Sequence, residues 1–556
     1  MKGNGEIKSI VTALSLSNLC FLAAWRQLLY PAHKGYLLQE VPEWMDYVAL
    51  MLDVLLLAAL FWIVFTILHN QRQERLAIAL RWMFLSVTLI ALNFIRIQAF
   101  GHVSARGLIA VVGKFTFIAT LSVTLCLIVF VLIRWLRQVV HIAQVIILIF
   151  APFTLLTFSK AASALMQAPP VTADARGKSD AVGAGKRRLP ARILWIVFDE
   201  LDYRASFISH PSSIKLPELD RLRSESLFAT NAYPPAGYTL QSMPALITGK
   251  FVAAAREVNP NELMLTFEDS TEPVSWSNQP NIFSSTQELG GTTAAVGWYH
   301  PYCRVIGDTL TKCSWSEIGY EQISYSHNLL QGMLDYASTS AFNIPLVRDW
   351  LPKLLQNEKR DSAAHMKFIE QGTLEKAKEV AGDASLSMIL IHYPAPHPPC
   401  SYNRWRNDFS TAGNCDYFDN LVLVDRTLGE LRRAMESAGV WDQTTVLVSS
   451  DHWWRINIWA TEHPLTEEEA TITGGKMDYR VPFILKLKDQ NEPIIYNPEF
   501  NTIITHDLFI ALLHGELSKA NEVVTWLDKQ PTRRILPIGT ANSARSSSYS
   551  KVDESP

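Results

Sequence analysis

The sequence predicts two parts: an amino-terminal membrane domain of about five helices, residues 1–160, and an α/β domain, residues 191–540, built on a mostly parallel sheet flanked by helices. Three observations carry this. Long apolar runs crowd the first 160 residues and then cease. Short apolar runs alternate with helix-like stretches over the remainder, the pattern of a sheet wrapped by helices. Three of the short runs end abruptly in acids or histidines, which places polar chemistry at one rim of the sheet.

In the membrane part, five segments approach the ~20 apolar residues that a bilayer crossing needs. They are Ile10 to Leu29, Tyr47 to Leu68, Trp82 to Phe100, Phe115 to Trp135 and Val139 to Phe158. Five such runs in tandem argue against buried helices of a soluble protein. A cleavable signal peptide does not fit, because the first run lacks a small-residue cleavage site and others follow it. Lys and Arg fall on both sides of these segments in similar number, so charge bias sets no orientation. Residues 161–190 read as a linker, rich in Ala, Gly, Pro and charge from Gln167 to Arg188. Its Lys186, Arg187 and Arg188 are either a contact for anionic headgroups or a solvated basic turn.

In the α/β part, the run Arg192–Phe198 ends in Asp199 and Glu200, and the run Thr444–Ser450 ends in Asp451 and His452. An adjacent Asp and His offer a hard oxygen and an imidazole nitrogen, which suit Zn²⁺ or Mn²⁺. A third run, Ser385–Ile391, ends in His392, with His397 a few residues on among prolines that stiffen the loop. A Pro/Gly-rich turn, Pro234–Tyr238, delivers Thr239 to the start of a helix-like segment, where a hydroxyl is either an N-cap or a group facing the positive helix end. Leu216 to Ser226, Lys367 to Val380 and Tyr417 to Ala438 read as covering helices. The Ser-rich tail, residues 541–556, reads as disordered.

Of the six cysteines, Cys20 and Cys126 fall in membrane segments. Cys303 with Cys313 and Cys400 with Cys415 form close pairs whose loop sizes suit disulfides in an oxidising compartment; four free thiols are the other reading. Neither pair has the short spacing of a zinc site. A net charge of −3, with no Gly-rich nucleotide loop and no basic aromatic face, argues against nucleic acid.

The order of these features carries a resemblance: a strand-end Asp199, then Thr239 before Leu246–Gly249, then the His397 loop, then Asp451-His452, then Arg480–Lys486. It resembles the sulfatase-like branch of the alkaline phosphatase superfamily over about residues 191 to 515. Sulfatases there carry a cysteine at the position of Thr239, a proline two residues on and an arginine four residues on; this chain has Gln241 and Met243. Threonine resembles instead the phosphoethanolamine and phosphoglycerol transferases and lipoteichoic acid synthases, which are membrane enzymes. The resemblance implies one divalent metal, Zn or Mn, held by Asp199, Thr239, Asp451 and His452, with Glu200 competing with Asp199 for the first place. It leaves His300, in a segment that resembles a sulfatase stretch but lacks its lysine, as either a phosphate contact or a buried structural histidine.

A metal-bound threonine hydroxyl is an activated nucleophile, and His392 or His397 would exchange protons with the leaving and entering alcohols. The expected function is transfer of a phospholipid head group, through phosphothreonine, to an envelope glycan or lipid. The expected setting is a bacterial inner membrane with the catalytic domain on the periplasmic or extracellular side. A sulfatase-like hydrolase shares the first step, and a non-catalytic binding platform is the reading from another class. Trp453, after His452, is a departure from the glycine of many relatives; with Trp454 and Trp459 it would narrow the pocket or meet acyl chains.

Overall fold

Strand β1 (Arg192–Phe198) lies inside an eight-stranded sheet of a computed structural model that describes residues 2–29, 35–38, 42–70, 74–100, 114–167, 189–317, 328–342, 358–410, 415–458, 464–531 and 534–537. Its residues after Arg192 are all apolar because both faces are covered. Ile193, Trp195 and Val197 join one core and Leu194, Ile196 and Phe198 the other, as the two-residue period of a strand dictates. The other strands are β2 (Leu227–Ala229), β3 (Thr293–Trp298), β4 (Lys312–Ser316), β5 (Met388–Tyr393), β6 (Thr444–Ser450), β7 (Phe483–Lys486) and β8 (Ile494–Tyr496).

Their order across the sheet is β8-β2-β7-β6-β1-β5-β3-β4. Only β7 runs antiparallel to its neighbours in this sheet, so the sheet is mostly parallel, as expected. Phe198 of β1 pairs with Ser450 of β6 and with Tyr393 of β5. The carboxyl ends of three strands therefore meet at one rim. His392 lies within β5, opposite Val197, rather than beyond the strand end.

The amino-terminal region is helical: α1 (Lys2–Cys20), α2 (Leu22–Leu29), α3 (Trp44–Asn70), α4 (Glu74–Phe100), α5 (Lys114–Ile149) and α6 (Ala151–Gln167). Among the described residues, Trp44–Ile67, Glu74–Asn93 and Arg134–Met166 are long and apolar enough to cross a membrane. The pair α1 and α2, bent by 63°, makes a fourth if it is one span. The count among the described residues is thus three to four, beside the expected count of about five. Phe115 to Trp135 is helical too, as the first part of α5, but the backbone departs from helical geometry at Trp135 and the apolar span starts at Arg134. Hydropathy marks the material of a span and not where a helix breaks.

Helix α6 runs to Gln167, into the stretch expected as linker. The rest of that linker up to residue 188, with Lys186, Arg187 and Arg188, lies outside the described residues, as do Trp459 and the tail 541–556.

The sheet is covered by α7 (Thr239–Thr248), α9 (Glu358–Gly382), which starts well before the expected Lys367, and α10 (Tyr417–Ser437), close to the stretch read as helical from Tyr417 to Ala438. Asp416 caps α10 in a capping box with Asp419. Two elements join the parts. Residues 35–38 insert Tyr36 and Leu37 into the core of the α/β domain. In return α8 (Leu329–Phe342) packs on α3, its Tyr336 hydroxyl donating to Asp46 Oδ1 at 3.0 Å.

Candidate metal and catalytic site

Because β1 and β6 are paired in register, Asp199 and Asp451 leave the sheet side by side. Glu200 follows with φ 63°, a left-handed conformation uncommon outside glycine. The turn separates the two neighbouring acids. Glu200 Oε1 accepts from Arg455 Nε at 2.7 Å and from the Arg455 backbone N–H at 3.1 Å. Asp199 faces His452, with Oδ1 3.4 Å from Nε2. The ligand atoms of Asp199, Asp451 and His452 all lie within 4.8 Å of one another, and all three side chains are buried.

Thr239 enters this cluster from the first turn of α7. Its neighbour Tyr238 is the N-cap, without a side-chain capping bond, so Thr239 is not a cap. Its hydroxyl donates to Asp451 Oδ2 at 2.7 Å and lies 3.2 Å from His452 Nε2 and 3.5 Å from Asp199 Oδ2. Gly249 (φ 72°) ends the helix in the left-handed conformation.

The electrostatics invite a cation. Burial, then the charge of Asp451, pushes Asp199 well above the usual carboxylate range, and burial brings Asp451 up to about 6. Asp199 Oδ1 is buried with no hydrogen-bond partner. His452 Nδ1 donates to the Trp453 carbonyl at 3.0 Å, which leaves Nε2 with its lone pair toward the carboxylates. Burial keeps this ring neutral, its pKa well below the ordinary histidine value. Two carboxylates, a neutral imidazole and a hydroxyl form a donor set that a divalent metal fits.

The other expected residues take distinct places. His392 Nε2 is buried without a hydrogen-bond partner, 3.9 Å from Asp199 Oδ2, while its Nδ1 meets the Tyr302 hydroxyl at 2.9 Å. His397 stands further out: Arg455 Nη2 donates to its Nε2 at 3.3 Å, and its Nδ1 donates to the Pro398 carbonyl. Burial lowers His397 to about 4. His300, expected as a phosphate contact, has both ring nitrogens engaged. Its Nε2 donates to the Thr239 carbonyl at 3.0 Å, so in the neutral ring Nδ1 accepts from the Tyr36 hydroxyl, also at 3.0 Å. Burial, which lowers His300 to about 4, keeps it in that neutral form. The ring supports the backbone of Thr239 from behind.

Sequence reasoning missed Arg455, Tyr302 and Tyr36. Arg455 carried a weak signal, a lone basic residue three positions after His452. The tyrosines carried none, since each acts across a long sequence separation.

Trp453 is a wall. It is buried, stands edge-to-face with Tyr479 at 4.9 Å, and leaves no room for a side chain at Gly237, where a Cβ would come within 2.5 Å of its ring. Glycine is therefore required in the turn that delivers Thr239. Trp454 is buried and stacks on Tyr417 at 3.8 Å.

Solved structures that match the chain do so at low identity. The lipoteichoic acid synthase LtaP from Listeria monocytogenes matches at 12% identity over 60% of this chain and 73% of that one, with a TM-score of 0.35. An alkaline phosphatase superfamily protein from Vibrio parahaemolyticus matches at 13% identity over 59% and 67%, TM-score 0.35. The PsFucS1 sulfatase from Pseudoalteromonas sp. matches at 17% identity over 60% and 69%, TM-score 0.38. No match appears among curated proteins. Residues 192–514, more than half the chain, match the sulfatase family model, and the chain belongs to that family.

Proposed function

We propose that this protein is a metal-dependent phosphotransferase that takes a phosphorylated head group, phosphoethanolamine or phosphoglycerol, from a phospholipid and passes it through Thr239 to a hydroxyl of an envelope glycan or lipid. One observation carries the reading: a buried threonine hydroxyl stands 2.7 Å from Asp451, inside a cluster of metal-ligand atoms, at the position where sulfatases carry a cysteine.

Asp199, Thr239, Asp451 and His452 would hold one divalent ion, Zn or Mn, which supplies a lowered hydroxyl pKa and neutralises phosphoryl charge. In the first step the Thr239 Oγ–phosphorus bond forms and the bond to the lipid alcohol breaks. The threonine proton is held at Asp451 Oδ2. We assign protonation of the leaving alcohol to His397 or His392, whose ring, kept neutral by burial, must first take up a proton, and Arg455 offers its guanidinium to the phosphoryl oxygens. In the second step the acceptor oxygen–phosphorus bond forms as the Thr239 Oγ–phosphorus bond breaks; the acceptor's proton passes to the histidine that protonated the first alcohol, and Asp451 Oδ2 returns its proton to Thr239. The two disulfides, Cys303–Cys313 and Cys400–Cys415, fit an oxidising compartment, so we place the catalytic domain on the outer side of a bacterial inner membrane. Water in place of the acceptor would give the hydrolase reading.

The test is intact-protein mass spectrometry after incubation with phosphatidylethanolamine or phosphatidylglycerol, with Thr239→Ala as control. A head-group adduct on Thr239 is expected. No adduct with either lipid, in protein shown to contain metal, sinks the transferase reading. Free head group released without acceptor would favour hydrolysis.

A further inference from the structure

Helix α8 belongs to the sulfatase-family part of the chain, yet it packs on the membrane helices. Its inner face contributes Met333 and Tyr336 to a cluster with Trp25, Tyr47, Leu50 and Val54. Tyr336 also bonds Asp46, in the first turn of α3. The outer face carries Leu330 and Leu334, 66% and 57% exposed. Leucines four apart lie on one side of a helix.

Depth decides what covers that face. The apolar span of α3 starts at Trp44. Residues 46–54 occupy about 12 Å of it at roughly 1.5 Å per residue, which is well into one leaflet of a hydrocarbon core about 30 Å thick. A helix packed beside those residues sits at the same level. The same belt continues on α3 itself, where Leu55, Leu56 and Leu60 are exposed. Water at this depth would face large apolar side chains from both elements, and lipid would not.

We propose that α8 is a membrane-contact element supplied by the catalytic part, lying in the leaflet nearest the catalytic domain with Leu330 and Leu334 against lipid acyl chains. The helix carries no Lys or Arg, and its one acid, Asp335, is bonded by Gln331 at 3.0 Å. The inference rests on the membrane anchoring and not on the phosphotransferase reading.

The experiment uses the full chain in nanodiscs of phosphatidylethanolamine and phosphatidylglycerol, in a Cys20→Ala/Cys126→Ala background with both disulfides kept. Nitroxide labels are placed at Leu330→Cys and Leu334→Cys, with Leu56→Cys as the lipid-facing reference and Lys376→Cys, 59% exposed as a lysine side chain, as the aqueous one. Expected is greater relaxation by oxygen than by a water-soluble nickel chelate, as at Leu56. Chelate accessibility matching that at Lys376 overturns the proposal. So does exclusion of both reagents with spin–spin broadening, which would assign the face to a second copy of the chain.

Discussion

Thr239, Asp199, Asp451 and His452 sit on three separate stretches of chain, and the spacing of their atoms makes each contribution separable. Replacing Asp451 with Asn keeps the volume but removes one of two buried charges that face the cation position. Metal content by mass spectrometry is expected to fall at least about tenfold, since even the groups that orient metal ligands are worth that much. Gly237→Ala drives a methyl into Trp453, and overpacking of this kind costs about 1–3 kcal/mol; a lowered melting temperature is the readout. A residue remote from the metal cluster predicts a pH effect. Glu370 is buried with one oxygen on Ser401, and burial pushes it up to about 8. Between its ordinary value and about 8 the folded chain holds a proton that the unfolded chain has lost, so this group lowers stability as pH rises through that window. Glu370→Gln is expected to raise the melting temperature at pH 8 and to change it little at pH 4. Equal shifts at both values would refute the assignment. Sequence showed that two adjacent acids follow β1 but not which one faces the cluster. The answer depended on Arg455, which claims Glu200 across the site.

Elements were legible where one face or both had to be buried. A strand covered on both sides reads as an unbroken apolar run, and β1, β5 and β6 were found that way, with their polar terminal residues marking the rim. The stretch from Tyr417 was legible as a helix, and in the structure Asp416 caps its start. Breaks were not legible. Nothing in the composition near Cys20 announces the 63° bend between α1 and α2, because apolar residues serve a straight span and a bent one equally. Cysteine spacing suggested loops, and the structure closes both. The bridge Cys303–Cys313 ties the turn carrying Tyr302 and Arg304 to β4. A loop of that length is worth about 2–3 kcal/mol in chain entropy. Reduction of the Cys400→Ser/Cys415→Ser variant, which isolates this bridge, is expected to lower the denaturation midpoint accordingly. An unchanged midpoint would show that the turn is held by packing alone.

At the scale of the molecule, the two parts share more than a tether. Tyr36, from the connection between α2 and α3, is buried in the core of the α/β domain, held through its carbonyl by Arg304 at 2.7 Å, and bonded to the histidine that supports Thr239. Tyr36→Phe keeps the ring and removes the donor, leaving His300 Nδ1 buried and unpaired, at a cost of about 1–3 kcal/mol. Slower adduct formation on Thr239 with unchanged metal content is the expected result, and an unaltered rate would show that the contact is only packing. A protease that cut between residues 168 and 188 would therefore not set loose a working enzyme. The freed fragment would leave behind the tyrosine that braces Thr239, so on the proposed function severance from the helical part is predicted to disarm it, and the transfer would be confined to the surface it was built beside.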